Sequence, residues 1–426
     1  MYATVSTNTR LLRTKDIFRI ESYHIINFKK HSMKKNFKLA MMFMAASALT
    51  MGTTACSKDS DDDNAGQTTQ QGPSAAQVRD SLLSTVNADY VKNAVAATYT
   101  KLAADCETLQ QMVEQMNSQE SLVGVCNQWK VARQDWELSE AFLFGAASGY
   151  GIDPHIDTWP FAEASFVNLM SKLSPSTSEA DAAAVDEQIA HTQNFTGFHA
   201  MEYIIFRQGQ PRLFSDLTAD ELYFVNGVAK DLFLSACRLE VAWIGETADK
   251  DHIALLEEEE LMPDDNFGQE FVNAGQKGSR WASVTDASVQ IVEGCIDIVG
   301  EVADSKIAAA YTGDDVNYIE SPHAYNSIQD FYDNIRGVKQ ALYGGLAYAS
   351  ATTPGKNSLM AYCLQNHASE ANAVMTALET ALSTIDKMKR PFVLNYTDPS
   401  AGAAIEALHQ LNTTLDALKA KLDPNL

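Results

Sequence analysis

The 426-residue sequence has no CxxC, no HExxH and no GxSxG. The first absence argues against a thiolate metal site. The second removes the one-turn helix that gives a zinc peptidase two ligands and a base, and the third removes the strained elbow of a serine hydrolase. Basic residues are scarce: 32 Lys and Arg face 55 Asp and Glu, for a formal net charge of −23. Such a chain repels phosphate backbones, so nucleic acid is not an expected partner. Strand-like alternation is almost missing. The apolar run Leu39–Met51 has thirteen residues, too few to span a bilayer comfortably. What remains is the composition of a chain able to bury a core, with 46% hydrophobic and 20% charged residues.

That apolar run belongs to a targeting pattern. Lys34, Lys35 and Lys38 form a positive region behind Met33, Leu39–Met51 follows, and Thr53, Thr54 and Ala55 precede Cys56. Small residues directly before a cysteine resemble a bacterial lipoprotein signal, with Cys56 as the lipidated first mature residue, although Thr53 stands where leucine is usual. Residues 1–32 are then expected to be a non-translated or mis-annotated extension, 33–55 the signal peptide and 56–74 an acidic and polar tether. The tether's start, Ser57-Lys58-Asp59-Ser60-Asp61-Asp62-Asp63, resembles the export signal of surface lipoproteins of Bacteroidetes-type bacteria. A plain solvated linker is the alternative. Residues 1–55 carry nine basic and two acidic residues, so the mature chain has a net charge of about −30. The expected location is the outer membrane, lipid-anchored, with the cell surface and the periplasmic face as alternatives. The five other cysteines (Cys106, Cys126, Cys237, Cys295 and Cys363) lie apart inside helical patterns and are expected to be small buried hydrophobes.

From Ser74 onward the apolar period is helical. In 121–144, Leu122, Val125, Trp129, Ala132 and Trp136 recur at steps of three and four, and Leu143 follows two such steps later. Thr218 with Glu221 reads as a capping box opening a long helix, and Asn326 with Gln329 as a variant of that cap. Further helices are expected at about 283–311, 358–388 and 400–421. The segment Glu246–Gln269, with four successive glutamates from Glu257 to Glu260, reads as solvated loop or helix end rather than a calcium site. The expectation is an all-α fold of two packed, pseudo-symmetric helical bundles, 75–255 and 268–426.

The chemistry is sharpest at 194–206. His199 and Glu202 sit three apart on one helix face in apolar surroundings, where a charge is costly unless it is paired or holds a metal. A structural hydrogen bond is the competing explanation. Gly197-x-His199-x-x-Glu202 resembles the GxHxxE signature of the imelysin family, whose founder was described as an insulin-cleaving membrane peptidase. The family also includes periplasmic components of bacterial iron-uptake systems. Segments 136–145, 153–160 and 327–336 look like family segments in the family's order, and the likeness spans roughly 76–422. It implies two helical bundles with the motif near their interface.

Other residues can be weighed on their own. Glu140 falls in the apolar stripe four residues after Trp136, whereas Glu137 can be satisfied by Arg133. Asp153, His155 and Asp157 alternate along a loop and could converge on a cation, although Asp157 could equally cap a helix starting near Pro160. Trp159 reads as packing, Asp330 and Asn334 as a polar edge, and His323 as a loop histidine. The candidate metal ligands are thus His199, Glu202, Glu140 and Asp157. Gly197, Glu137, Asp153, His155, Trp159, Asp330 and Asn334 support them.

A zinc peptidase needs three ligands, an open position and a base. The inverted HxxEH pattern would need histidine at 203, where Tyr203 stands. A carboxylate-rich set with one or two histidines suits hard or borderline cations, iron included. The first expectation is therefore a non-catalytic envelope lipoprotein that binds a divalent metal, iron or an iron-containing ligand, together with an envelope uptake partner. A metallopeptidase with Glu202 as its base, and an interaction protein in which GxHxxE only fixes the bundle interface, are the alternatives.

Overall fold

The computed structural model describes residues 73–193 and 195–423. The extension 1–32, the signal 33–55, Cys56, residues 57–72 of the tether and Asn194 lie outside the described residues. Nine long or site-bearing helices organise the rest. Helix α1 (Ala75–Tyr90) starts at a capping box in which the Ser74 hydroxyl accepts from the Gln77 N–H and the Gln77 side chain accepts from the Ser74 N–H. It widens into a π segment, Val91–Ala96, and continues as α2 (Ala97–Glu114). Helix α3 (Gln119–Ser139) buries Leu122, Val125, Trp129, Ala132 and Trp136. It then tightens into a 3-10 turn at Glu140–Phe142.

The motif helix α4 (Gly197–Ile205) runs into a hairpin that pairs Phe206 with Pro211. Gln208 and Gly209 both take positive φ there, as a tight two-residue turn requires. Helix α5 (Ala219–Ile244) opens at the expected Thr218–Glu221 capping box. Helix α6 (Val284–Glu301) widens into a second π segment, Val302–Ile307, before the short helix Ala308–Thr312. Helices α7 (Ser327–Tyr343), α8 (Ala368–Asp386) and α9 (Pro399–Leu422) complete the chain.

The fold is all-α, the two-residue strands aside. The described residues, from Pro73 to Asp423, fall in one compact unit. Within it α5 packs on α2 and α4, and α2 on α3, while α9 packs on α8 and α6, and α8 on α7. The two sets meet where α7 lies on α3 and α6 on α1. At that seam a Cβ on Gly337 would stand 2.7 Å from the Leu138 carbonyl oxygen, so the glycine lets α7 approach the α3 backbone. Five leucines of α9, from Leu408 to Leu422, are buried in the core. Among the described residues no helix is long and apolar enough to cross a membrane.

Three local expectations change. Asn326 makes no side-chain cap, because its amide donates instead to Asp330 Oδ1 at 2.6 Å. The helix expected over 358–388 breaks at His367, whose extended φ of −142° separates Leu359–Asn366 from α8. Asp157 caps no following helix: the next one, Glu163–Met170, starts at Ala162 without a side-chain cap, and the Asp157 carboxylate turns inward. The glutamates from Glu257 to Glu260 are exposed at and beyond the end of the helix Lys250–Glu258. All five cysteines named above are free and buried.

Candidate metal centre

The seam between α3 and α7 is charged rather than apolar. Arg133 on α3 is wholly buried and its guanidinium pairs with Asp157, with Glu137 one turn on, and with Glu320 at 2.7 Å. Asp157 Oδ2 accepts from the Trp136 indole at 2.7 Å. Lys306 donates to Glu140 Oε2 at 2.9 Å and to Glu320 Oε1 at 3.0 Å. It reaches this position from the π segment, whose extra residue changes the angular setting of the side chains. Asn334 on α7 donates its amide to Glu137 and, at 3.0 Å, to Glu140. Asp330, one turn before it, lies 4.0 Å from Arg133 Nε.

The motif helix brings His199 against this cluster. Nε2 of His199 approaches Asp157 Oδ1 at 3.1 Å, and Nδ1 lies 3.3 Å from Glu202 Oε2. The other oxygen of Glu202 accepts the backbone N–H groups of His323 and Ala324 at 2.8 and 2.7 Å. The motif glycine has a steric role. Gly197 has φ +80°, and a Cβ there would stand 2.3 Å from the Ile156 carbonyl oxygen. Any side chain would push the Asp157 loop off the motif helix. The loop carrying Glu320 and His323 is strained, with Ser321 at φ 43° and Tyr325 at φ 56°.

Charge in this cluster does not balance. Five buried carboxylates (Glu137, Glu140, Glu202, Glu320, Asp330) and that of Asp157, whose side chain is 6% exposed, meet two permanent cations, Arg133 and Lys306, and one histidine. Burying such an excess is costly unless protons or a cation offset it. Burial accordingly pushes Glu137 and Glu140 well above the carboxylate range, against the pull of Arg133 and Lys306. Burial also raises Asp330 to about 7. Asp157 goes the other way, because Arg133 and then His199 outweigh its burial and hold it well below that range. Burial and Arg133 push His199 down, but Asp157 and Glu202 outweigh them and raise it to about 9.

Several atoms of the cluster lack hydrogen bonds: His199 Nε2, Glu320 Oε2, Asp330 Oδ2 and Asn334 Oδ1. Unpaired polar atoms at this depth are rare and need a cause. Three sets of side chains offer ligand atoms within 4.8 Å of one another: Asp157, His199 and Glu320; Glu137, Glu140 and Asp157; Glu137, Glu320 and Asp330. The first is the only one of these with a nitrogen donor, and it includes two of the unpaired atoms. Its donor types fit a hard or borderline cation.

The site residues expected from the sequence divide accordingly. His199, Glu202, Glu140, Asp157, Glu137, Asp330, Asn334 and Gly197 lie in or against the cluster. Asp153 faces a 320 Å³ cavity that also reaches Glu140, Asp157, Lys306 and Glu320, and burial raises its carboxyl to about 6. His155 turns away to Asp231, at 2.8 Å. Trp159 packs edge-on against Tyr318 with ring centres 4.7 Å apart. His323 contributes its backbone N–H to Glu202, and its ring stands edge-on to Tyr203. Lys306 and Glu320 went unnoticed in the sequence. Lys306 had a signal, as the only basic residue from Val284 to Thr312, whereas Glu320 sits in a loop without period.

A family model described as Imelysin (Peptidase_M75) matches residues 95–421. The chain is 24% identical over 319 residues to Iron-regulated protein A of Synechococcus elongatus, covering 74% of this chain and 79% of that protein. Its fold is similar to the crystal structure of a protein described as an iron-regulated protein A precursor from Parabacteroides distasonis. There the TM-score is 0.69 at 23% identity, with 83% of this chain and 97% of the other covered. An imelysin-like protein from Psychrobacter arcticum is also similar, with TM-score 0.54, 13% identity, and 78% and 93% covered.

Proposed function

The chain belongs to the imelysin family, and from that premise we propose that it is a cell-envelope protein that captures a metal cation in the buried seam without hydrolysing a substrate. The observation that carries this is the acid excess that converges on His199 Nε2, 3.1 Å from Asp157 Oδ1, and on Glu320, whose Oε2 makes no hydrogen bond. Asp157, His199 and Glu320 would hold the cation. Glu202 would orient His199 through Nδ1 and raise its basicity, the role a carboxylate plays behind a metal-bound histidine. Arg133 and Lys306 share the same carboxylates and offset their charge when no cation is bound. Iron enters through the names of the relatives, two of which are called iron-regulated. The envelope location rests on the signal at 33–55 and Cys56, with the lipid on Cys56 as the membrane anchor and an envelope uptake protein as partner.

Hydrolysis is the weaker reading. Glu202 is the expected base, yet one of its oxygens accepts two backbone amides and the other faces His199. A general base needs an oxygen within reach of an attacking water.

Metal analysis and titration calorimetry on the chain lacking residues 1–56, which keeps all the described residues of the compact unit, test the proposal. One equivalent of iron(II) or zinc is expected to bind, with affinity lost by at least about tenfold in His199→Ala and in Glu320→Gln. Absence of binding, or binding indifferent to both substitutions, would overturn it.

A further inference from the structure

His199 and Glu202 also line a cavity of 920 Å³ whose walls do not include Lys306. Its size is out of proportion to a free ion: a cation with six waters fills roughly 200 Å³, taking about 30 Å³ per water. The cavity lies instead in the range that holds organic ligands of several rings, roughly 300–1,000 Å³. Its walls suit such a body. Trp159, Phe161, Val167, Val316, Ile319 and Val393 contribute apolar surface, and Val167 and Val316 are each 48% exposed at its rim. Its charge is mostly negative: Glu163, Glu202 and Asp315 line it with His199 and His323, and no lysine or arginine does. Among its lining groups His199 is 2% exposed, and its Nε2 meets Asp157 Oδ1 at 3.1 Å.

We infer that this cavity receives the apolar body of an organic chelator, so that the cation reaches His199 as a neutral or cationic complex rather than as a free ion. The inference rests on the metal-binding reading above and adds the chemical class of the cargo. The acidic rim disfavours an anionic chelate, and the aromatic and aliphatic walls favour a flat, poorly hydrated one. Open coordination positions on the metal would then be filled by His199 and its neighbouring carboxylates.

The test uses three zinc species with the chain lacking residues 1–56: aqueous Zn²⁺, the 1:1 zinc–phenanthroline complex, which is cationic and aromatic, and the 1:1 zinc–nitrilotriacetate complex, which is anionic and hydrophilic. Equilibrium dialysis reads zinc and chelator separately. Zinc and phenanthroline are expected to be retained in equal amounts, at least about tenfold more tightly than aqueous Zn²⁺, with nitrilotriacetate left outside. Glu163→Lys, at an exposed rim position, is expected to weaken retention of the phenanthroline complex more than retention of the aqueous ion. Zinc retained without phenanthroline, at the affinity of the aqueous ion, would overturn the inference and leave the metal-binding reading standing. Phenanthroline retained equally with and without zinc would also overturn it, by uncoupling the cavity from the cation. Zinc retained in no form would sink both.

Discussion

The helix that begins at Ala75 and the helix that begins at Val284 each widen into a six-residue π segment, Val91–Ala96 in one and Val302–Ile307 in the other. In the first, Val91, Ala94 and Val95 are buried against α5, α7 and the helix Phe267–Val272. In the second, Val302, Ala303 and Ile307 are buried in the same way, but so is Lys306, among Glu140, Glu320 and Glu137. The backbone device is shared and the side chains differ. A π segment often marks a functional site, yet here one of the two only packs. What sets the second segment apart is the charge placed at the widened turn.

Removing the distinguishing charge should give the largest effect. Lys306→Met takes one of two permanent cations from six carboxylates, and breaking a buried pair from one side costs about 3–5 kcal/mol. Urea unfolding at neutral pH should show a loss of that order without metal. Zinc should bind Lys306→Met more tightly than the parent and restore about 2.7 kcal/mol at a hundredfold excess over Kd. Val95→Ala, in the apolar segment, should cost on the order of 2 kcal/mol and be restored by nothing. If both variants respond alike to zinc, the two segments do not differ in function.

Next comes the residue behind the histidine. Glu202→Gln keeps an oxygen for the backbone N–H groups of His323 and Ala324 but removes the charge facing His199 Nδ1. Loss of such a support typically lowers metal affinity by about 10–100-fold. Calorimetry should find that loss with little change in melting temperature. A large fall in melting temperature with unchanged affinity would instead make the motif a structural clasp.

These two residues also mark how far the sequence could be read. Glu202 and His199 were visible because they share a face in an otherwise apolar helix. Glu140 was visible because it falls in the stripe of Trp136, and the long helices because their stripes run unbroken. Asp157 showed its type but not its direction, since a loop has no period and both a cap and a cation were open to it. Its partner Arg133 lies 24 residues away and meets it only through the fold. Glu320 could not have been chosen, because its neighbours in space, Arg133 and Lys306, come from α3 and from a π segment that spacing rules treat as ordinary helix. Gly197 was recognised as part of a motif, but the reason for it, the carbonyl of Ile156, is a tertiary contact.

A second buried pair sharpens the comparison from outside the seam. Glu240 on α5 accepts from Thr100 at 2.8 Å and meets His252 Nδ1 at 2.6 Å, and neither member of the pair leaves a buried side-chain atom without a hydrogen bond. The hydrogen bond to Glu240 is the main cause that raises His252 above the ordinary histidine value, against the opposing effect of burial. A raised histidine adds stability that is fully present below its unfolded pKa of about 6.5 and is lost as pH rises through the folded value. His252→Gln should therefore cost about 1–2 kcal/mol near pH 6, the scale of a hydrogen bond to a charged group, and less at higher pH. Unfolding measured from pH 5.5 to 9 should show the difference between parent and variant shrinking as pH rises. Zinc should change neither curve, because this pair is satisfied by its own partners.

The smallest effect is expected where acid is densest in the sequence. Glu257, Glu258 and Glu260 are exposed at the end of a helix, and Glu259 pairs with Lys230 at 2.6 Å across a surface where both remain partly open to water. Changing Glu257, Glu258 and Glu260 together to glutamine removes three negative charges, as many as the formal excess left in the seam when His199 is protonated. Exposed charges are hydrated and are screened beyond about 8 Å at physiological ionic strength, so stability should move by no more than about 0.5 kcal/mol. Zinc affinity, measured by the same calorimetry, should change by less than about twofold, the scale of a screened surface charge. If the triple variant weakened zinc binding as much as Glu320→Gln, the cation would be responding to overall acidity. The expected indifference would place the attraction in carboxylates that burial has stripped of water, where each unpaired oxygen is worth a coordination bond.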